Sequence, residues 1–119
     1  MKKSSAKTST PYEIGFEIVA LAGDARTILL SVLKELQGYK KASSAQQKKI
    51  LTSVTKQVKE AQGLLDECHV KQTGLLQAEA KGAKSEFTYL VVHAQDHLMT
   101  TILLNDLIET FISLLTDKK

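Results

Sequence analysis

The sequence predicts an all-α protein, an antiparallel three-helix bundle in a single domain of 119 residues. Three observations carry that expectation. Ala, Leu, Lys, Gln and Glu dominate the composition, and all are good helix formers. Apolar residues recur at helical spacing along three long stretches. The breaks between those stretches are short, so consecutive helices should run up, down and up again. The one run with strand character, Tyr89–Val92, is absorbed by the helical pattern that follows it. Length favours one domain, and no internal repeat is visible. Residues 1–9 are small, polar and basic and are expected to form a disordered tail, which leaves 10–119 as the folded unit.

The first helix starts at Thr10-Pro11-Tyr12-Glu13. Thr is a good N-cap, Pro suits the first helical position, and Glu three residues after the cap completes a capping box. Ile14, Ile18, Leu21, Ala25, Ile28, Leu29, Val32, Leu33 and Leu36 then mark an apolar side, and Gly38 is the expected stop. The second helix can start at Ser43 or Ser44, with Gln46 and Gln47 three residues after each. Its apolar side runs through Ile50, Leu51, Val54, Val58, Ala61, Leu64, Leu65, Cys68, Leu75 and Leu76, and Gly82 ends the segment. Gly63 and Gly74 lie inside it at about 1 kcal/mol each relative to Ala, which suggests that one of them marks a close helix contact or a bend. Lys81 to Glu86 forms a polar loop with Ser85 as a candidate cap, and the third helix spans about Phe87 to Asp117.

Composition excludes several classes of function. No run of about 18 apolar residues is present, so no membrane-inserted segment is expected. The basic N-terminus has no apolar stretch behind it and is not a signal peptide, which places the protein in the cytoplasm. A lone cysteine, Cys68, has no intramolecular disulfide partner and fits a reducing compartment. The net charge of +3 is mild, much of it lies near the chain ends, and Arg26 is the only arginine, so nucleic acid is not expected as a partner.

The third helix carries the chemistry. On a helical wheel of about 100° per residue, Tyr89, Leu90, His93, Asp96, His97, Thr100, Leu104, Leu107, Ile108, Phe111 and Leu115 fall along one stripe. Its two ends are apolar and its upper middle is His-Asp-His-Thr, with Thr101 adjacent. Polar groups set into an apolar stripe cost free energy unless they are paired, bound or reached by water. Val92, Met99, Leu103 and Leu114 widen the apolar arc to one side, and Val91, Leu98 and Ile102 lie elsewhere. A helix apolar over most of its girth is buried on more than one face. In a chain this small the second face is expected at a subunit interface, with cyclic symmetry bringing identical stripes together.

Three chemistries fit the cluster. His93 and His97 are one turn apart, as in helical zinc sites, but Ala94 stands where a zinc peptidase has its Glu, and no third ligand is well placed. A His/Asp acid–base pair would need a ligand pocket, and neither a Gly-rich loop nor a nucleotide motif supplies one. A histidine that carries a phosphoryl group between proteins needs only an exposed imidazole, an apolar docking surface and donors for phosphate oxygens. Val91, Leu98 and Ile102 would supply that apolar ring. A non-catalytic helical oligomer, acting as an interaction or regulatory protein, is the alternative.

The run Leu90-Val91-Val92-His93-Ala94-Gln95-Asp96-His97-Leu98-Met99-Thr100-Thr101-Ile102-Leu103-Leu104 resembles the signature of the lactose/cellobiose-type enzyme IIA family of bacterial sugar phosphotransferase systems. Gly15-Phe16-Glu17-Ile18-Val19-Ala20 and Ala22-Gly23-Asp24-Ala25-Arg26 look like that family's first helix. His69-Val70-Lys71-Gln72-Thr73-Gly74-Leu75-Leu76 looks like the end of its second. The resemblance implies a homotrimer with the third helices near the axis and phosphorylation of His93. It implies the histidine phosphocarrier protein HPr as donor and a cysteine of enzyme IIB as acceptor, during uptake of a lactose-, cellobiose- or chitobiose-type sugar. It also implies that Asp96 of three subunits shares one Mg2+. A divalent cation with oxygen ligands would relieve the repulsion of three carboxylates on an axis. Gln95, His97 and Thr100 are candidate neighbours for the His93 tautomer or the phosphoryl oxygens. His69 and Gln72 are candidates from the same or a neighbouring subunit. Met1–Ser9 lies outside the family pattern, and the stretch from Gln46 to Lys59 is unusually rich in Gln and Lys, which bears on the surface offered to partners.

Overall fold

A computed structural model of the chain describes residues 10–83 and 88–116. It contains three helices, α1 (Pro11–Leu36), α2 (Ser44–Ala80) and α3 (Tyr89–Thr116), and no strand among the described residues. The expected tail 1–9, the candidate cap Ser85 and the expected ends of α3 at Phe87 and Asp117 lie outside the described residues.

Both expected capping boxes are formed. The Thr10 hydroxyl accepts from the Glu13 amide at 3.1 Å, and the Glu13 carboxylate accepts from the Thr10 amide at 3.0 Å. Ser43 and Gln46 repeat the exchange at 3.2 and 3.3 Å. These bonds satisfy amides that the helix itself leaves without partners. α2 has 37 residues, which at about 1.5 Å per residue is nearly the 56 Å long axis of the molecule. It ends where Gly82 turns to φ 102°, a conformation only glycine adopts without penalty. There the amides of Gly82 and Ala83 donate to the carbonyls of Glu79 and Ala78 at 3.0 Å each. At the start of α3 the Thr88 hydroxyl accepts from the Val91 amide at 3.2 Å, so Thr88 caps this helix.

α1 is the spine, and α2 and α3 approach it far more closely than they approach each other. Ile18, Ala22, Ala25, Leu29, Val32 and Leu36 of α1 form the core with Val54, Val58, Ala61, Leu65 and Cys68 of α2 and Ala94, Leu98 and Ile108 of α3. Near the start of α1, Glu17 pairs with Lys71 at 2.9 Å and the Ile18 carbonyl receives the Cys68 thiol at 3.7 Å. Near its end the Glu35 carboxylate accepts from Ser53 and Gln57 at 3.3 and 3.2 Å. The end of α2 therefore lies beside the start of α1. α3 also begins there, because a Cβ on the buried Gly15 would stand 3.5 Å from Val91 Cγ2 and 3.6 Å from Val91 Cα.

Three expectations need correction. Gly63 and Gly74 are not points of close approach, since a Cβ on either would meet nothing within 4 Å, and Gly15 takes that role. The core edge of α3 is Ala94, Leu98, Thr101, Asn105 and Ile108, which the stripe drawn through His93 and Asp96 meets only at Ile108. Leu98 is fully buried and Val91 and Ile102 are half-buried, so they do not form an exposed apolar ring around His93. One further point qualifies the membrane expectation. α3 is, by length and average composition, apolar enough to cross a membrane. Its apolar residues divide between a core face and an outward face, and His93, Gln95, Asp96, His97, Asn105, Asp106 and Glu109 interrupt them.

Candidate functional site

Packing of Gly15 against Leu90 and Val91 fixes the first turn of α3 on α1 and sets the height of the residues after it. His93 follows one turn into the helix with its side chain exposed. His97, one turn on, is half-buried, and its ring meets the His93 ring edge to face with centroids 5.3 Å apart. Burial pushes the His97 pKa below its ordinary 6.5, and the nearby positive charges of Arg26 and of a protonated His93 push it the same way. His97 is thus held neutral, with one N–H and one lone pair on its ring. Its Nδ1 is buried without a hydrogen-bond partner. Arg26, exposed on α1, brings a permanent cation to this side of α3. The sequence does not mark it as a site residue; its signals there are that it is the only arginine and that it closes the segment Ala22-Gly23-Asp24-Ala25-Arg26.

Asp96 is exposed and stands on the outward face of α3. With Tyr89, Val92, Met99 and Leu103 it forms a line at alternating spacings of three and four, the spacing of a coiled-coil seam. Leu107 and Leu114 extend it, and all six of these apolar side chains are substantially exposed, Leu103 by 58%. The carboxylate thus sits in the middle of an uncovered apolar ridge. A carboxylate is a suitable hard ligand for Mg2+. One per chain is too few, and no group of three or more His, Cys, Asp or Glu side chains among the described residues would hold a metal. The donor set fits such an ion only if several copies of Asp96 converge.

The other expected site residues divide. The Thr100 hydroxyl is exposed and donates to the main-chain carbonyls of Asp96 and His97, at 2.8 and 3.3 Å, so its proton is engaged locally. Gln95 is exposed but lies about 200° around the helix from His93. Gln72 is buried on α2, with its amide against the Met99 sulfur at 3.8 Å. His69 lines an open groove of about 390 Å³ between α2 and α3 with Gln62, Asp66, Ile102 and Asn105. Ile102 stands about 180° around α3 from His93, so the fold does not bring His69 to His93 within one protomer. Along the core edge, Thr101 Oγ1 and Asn105 Oδ1 are buried without partners, in the same row as His97 Nδ1. Asn105 went unnoticed in the sequence, although the 97/101/105 spacing places three polar residues on one helical row.

What the arrangement offers is a solvent-facing imidazole on a rigid helix, beside a neutral second imidazole and a guanidinium. That is the equipment for nucleophilic attack and for holding a transferred anionic group.

Comparison with known proteins points to one family. Residues 13–116 match the family model described as PTS system, Lactose/Cellobiose specific IIA subunit. The chain is 44% identical over 103 residues to the PTS system lactose-specific EIIA component of Lactococcus lactis subsp. lactis, covering 85% of this chain and 87% of that protein. It is 42% identical over 103 residues to the component of the same description from Streptococcus mutans serotype c, covering 85% and 88%. Among solved structures it resembles the PTS cellobiose specific enzyme IIA from Bacillus anthracis, with a TM-score of 0.71, 32% identity and 93% of both chains covered.

Proposed function

The chain belongs to the lactose/cellobiose-specific IIA subunit family of sugar phosphotransferase systems, and from that membership we propose that it is a cytoplasmic phospho-carrier working through His93. A ring nitrogen of His93 attacks the phosphorus of the phosphohistidine on HPr. The new N–P bond forms as the donor's N–P bond breaks, and the donor imidazole leaves. In the second half, a cysteine thiolate of enzyme IIB attacks the same phosphorus and the His93 imidazole departs. Uptake of a lactose-, cellobiose- or chitobiose-type sugar consumes the phosphoryl group further on.

The observation that carries this reading is the exposure of His93 beside a half-buried, neutral His97. His93 needs a free lone pair to attack, and its solvent-facing ring leaves room for a docked protein. His97, whose ring meets that of His93, and the Arg26 guanidinium, whose charge acts on His97, are the groups proposed to stabilise phosphoryl oxygens. Thr100 lies on the same side of α3 as His93, whereas Gln95 lies on the far side.

The outward ridge of α3 supports assembly of antiparallel three-helix protomers into a homotrimer with the α3 helices at its centre. Three copies of Asp96 would then converge and hold one Mg2+, which would supply the positive charge that lets the carboxylates share an axis. His69, exposed on α2 and remote from His93 of its own protomer, would then approach the site of a neighbouring subunit, whereas Gln72 is buried against Met99.

Incubation with phosphoenolpyruvate, enzyme I and HPr should add one acid-labile phosphoryl group per chain. His93→Ala should abolish it and keep the helical content. Labelling that survives that substitution rejects His93 as the acceptor.

A further inference from the structure

The six lysines between α1 and the middle of α2 form a surface that the phosphoryl chemistry does not use. From Leu36 to Lys59 the chain contains Lys40, Lys41, Lys48, Lys49, Lys56 and Lys59 and no Asp or Glu. The remainder of the chain carries ten basic and thirteen acidic side chains, so the positive net charge depends on this segment. All six lysines are exposed. On α2, Lys48, Lys49, Lys56 and Lys59 fall within an arc of about 100° over three turns, around Ala45 and Thr52. None has an ion-pair partner among the described residues. Of the two acids that flank the segment, Glu35 is turned to Ser53 and Gln57 and is half-buried, and Glu60, next to Lys59, is exposed at the edge of the face.

The start of α2 adds to the same field. α1 has an acidic side chain in its first turn, but α2 closes its capping box with the neutral Gln46 and has none. The positive end of the α2 dipole is therefore left uncompensated. The surface over Ala45, Lys48, Lys49, Thr52, Ser53 and Lys56 is open and shallow. It lies toward the end of the bundle away from His93, because α3 begins beside the start of α1 and the end of α2.

We propose that this lysine face docks the protein onto an anionic phospholipid surface. Charge complementarity and the lack of any anchor decide the occupant. A stable protein interface is built around buried aromatic or Arg anchors, and nucleic-acid recognition favours Arg forks and stacking rings. This face contains neither; its centre is Ala and Thr. Ammonium point charges on flexible stems suit diffuse attraction to a sheet of lipid phosphates. The attraction is reversible and leaves the His93 end free.

The test uses the full-length, unphosphorylated chain and sedimentation with vesicles, so its failure would leave the phospho-carrier reading standing. The chain should sediment with equimolar phosphatidylglycerol and phosphatidylcholine at low salt, and not with phosphatidylcholine alone. Raising salt to about 1 M, where the screening length falls to about 3 Å, should release it. The combined substitutions Lys48→Gln, Lys49→Gln, Lys56→Gln and Lys59→Gln should weaken binding at least about tenfold, while Lys81→Gln leaves it unchanged. No binding to the mixed vesicles, equal binding by the four-lysine variant, or equal binding to neutral vesicles through the α3 ridge would each overturn the proposal. So would capture of polyglutamate without any vesicle binding, which would point to an acidic protein.

Discussion

The imidazole rings of His93 and His97 stand edge to face, with centroids 5.3 Å apart and planes at 86°. At that separation charge on one ring opposes charge on the other, and burial has already settled which ring gives way.

His97 should make stability fall with acid. Its folded pKa lies below the ordinary 6.5, so as pH drops through that value the unfolded chain takes up the proton first. Uptake by the unfolded chain favours unfolding, so the His97 contribution is complete above pH 6.5 and declines below it. Urea unfolding between about pH 7.5 and 5.5 should show the decline, and His97→Gln should flatten it. Equal pH slopes for the two proteins would count against a depressed His97.

Leu98 and Leu103 separate the two apolar faces of α3. Leu98 is fully buried in the protomer, so Leu98→Ala should cost about 2–5 kcal/mol in any assembly state. Leu103 is 58% exposed, so Leu103→Ala should change little in a monomer. If the ridge is an interface, Leu103→Ala should instead lower the apparent melting temperature and make it more dependent on protein concentration. Analytical ultracentrifugation beside calorimetry reads both.

Asp96→Leu should make the ridge continuously apolar. If Asp96 holds the proposed ion in a trimer, elemental analysis should find no bound divalent ion in this variant, and sedimentation should show the assembly kept or strengthened. Metal content unchanged by the substitution would contradict the assignment of Asp96 as ligand.

Cys68 should behave as an inert thiol. Burial, with a smaller contribution from Glu67, pushes its pKa up from 9.0 to about 11. At neutral pH iodoacetamide should therefore label it only on unfolding, because the thiolate is the reactive form. Above pH 9.0 the unfolded chain releases its proton first, so stability should fall between there and about 11. Rapid labelling of the folded protein at neutral pH would show that the thiol is accessible.

The elements were legible because their punctuation is local. Thr10 with Glu13, Ser43 with Gln46, and Gly82 act through bonds to residues within one or two turns, so sequence spacing reveals them. The facing of α3 was not legible. Leu98 and Leu103 are equally apolar, and only contact with α1 decides that one is inside. A wheel drawn on apolar residues alone therefore settled on the boundary between the faces. Arg26 influences His97 across two helices, a relation with no sequence period. The placement of His69 beside Ile102 rather than near His93 likewise depends on how α2 leans.

That lean has a consequence for how the chain assembles itself. Synthesis delivers α1 and α2 first, joined by a short turn, and their mutual contacts need nothing from α3. A hairpin closed by Glu35 with Ser53 and Gln57 at one end and Glu17 with Lys71 at the other can form while the last quarter of the polypeptide is still emerging. α3 would then dock last, onto α1, and only then complete its outer ridge. Native-state hydrogen exchange should accordingly find the slowest amides in α1, the helix that waits for no other.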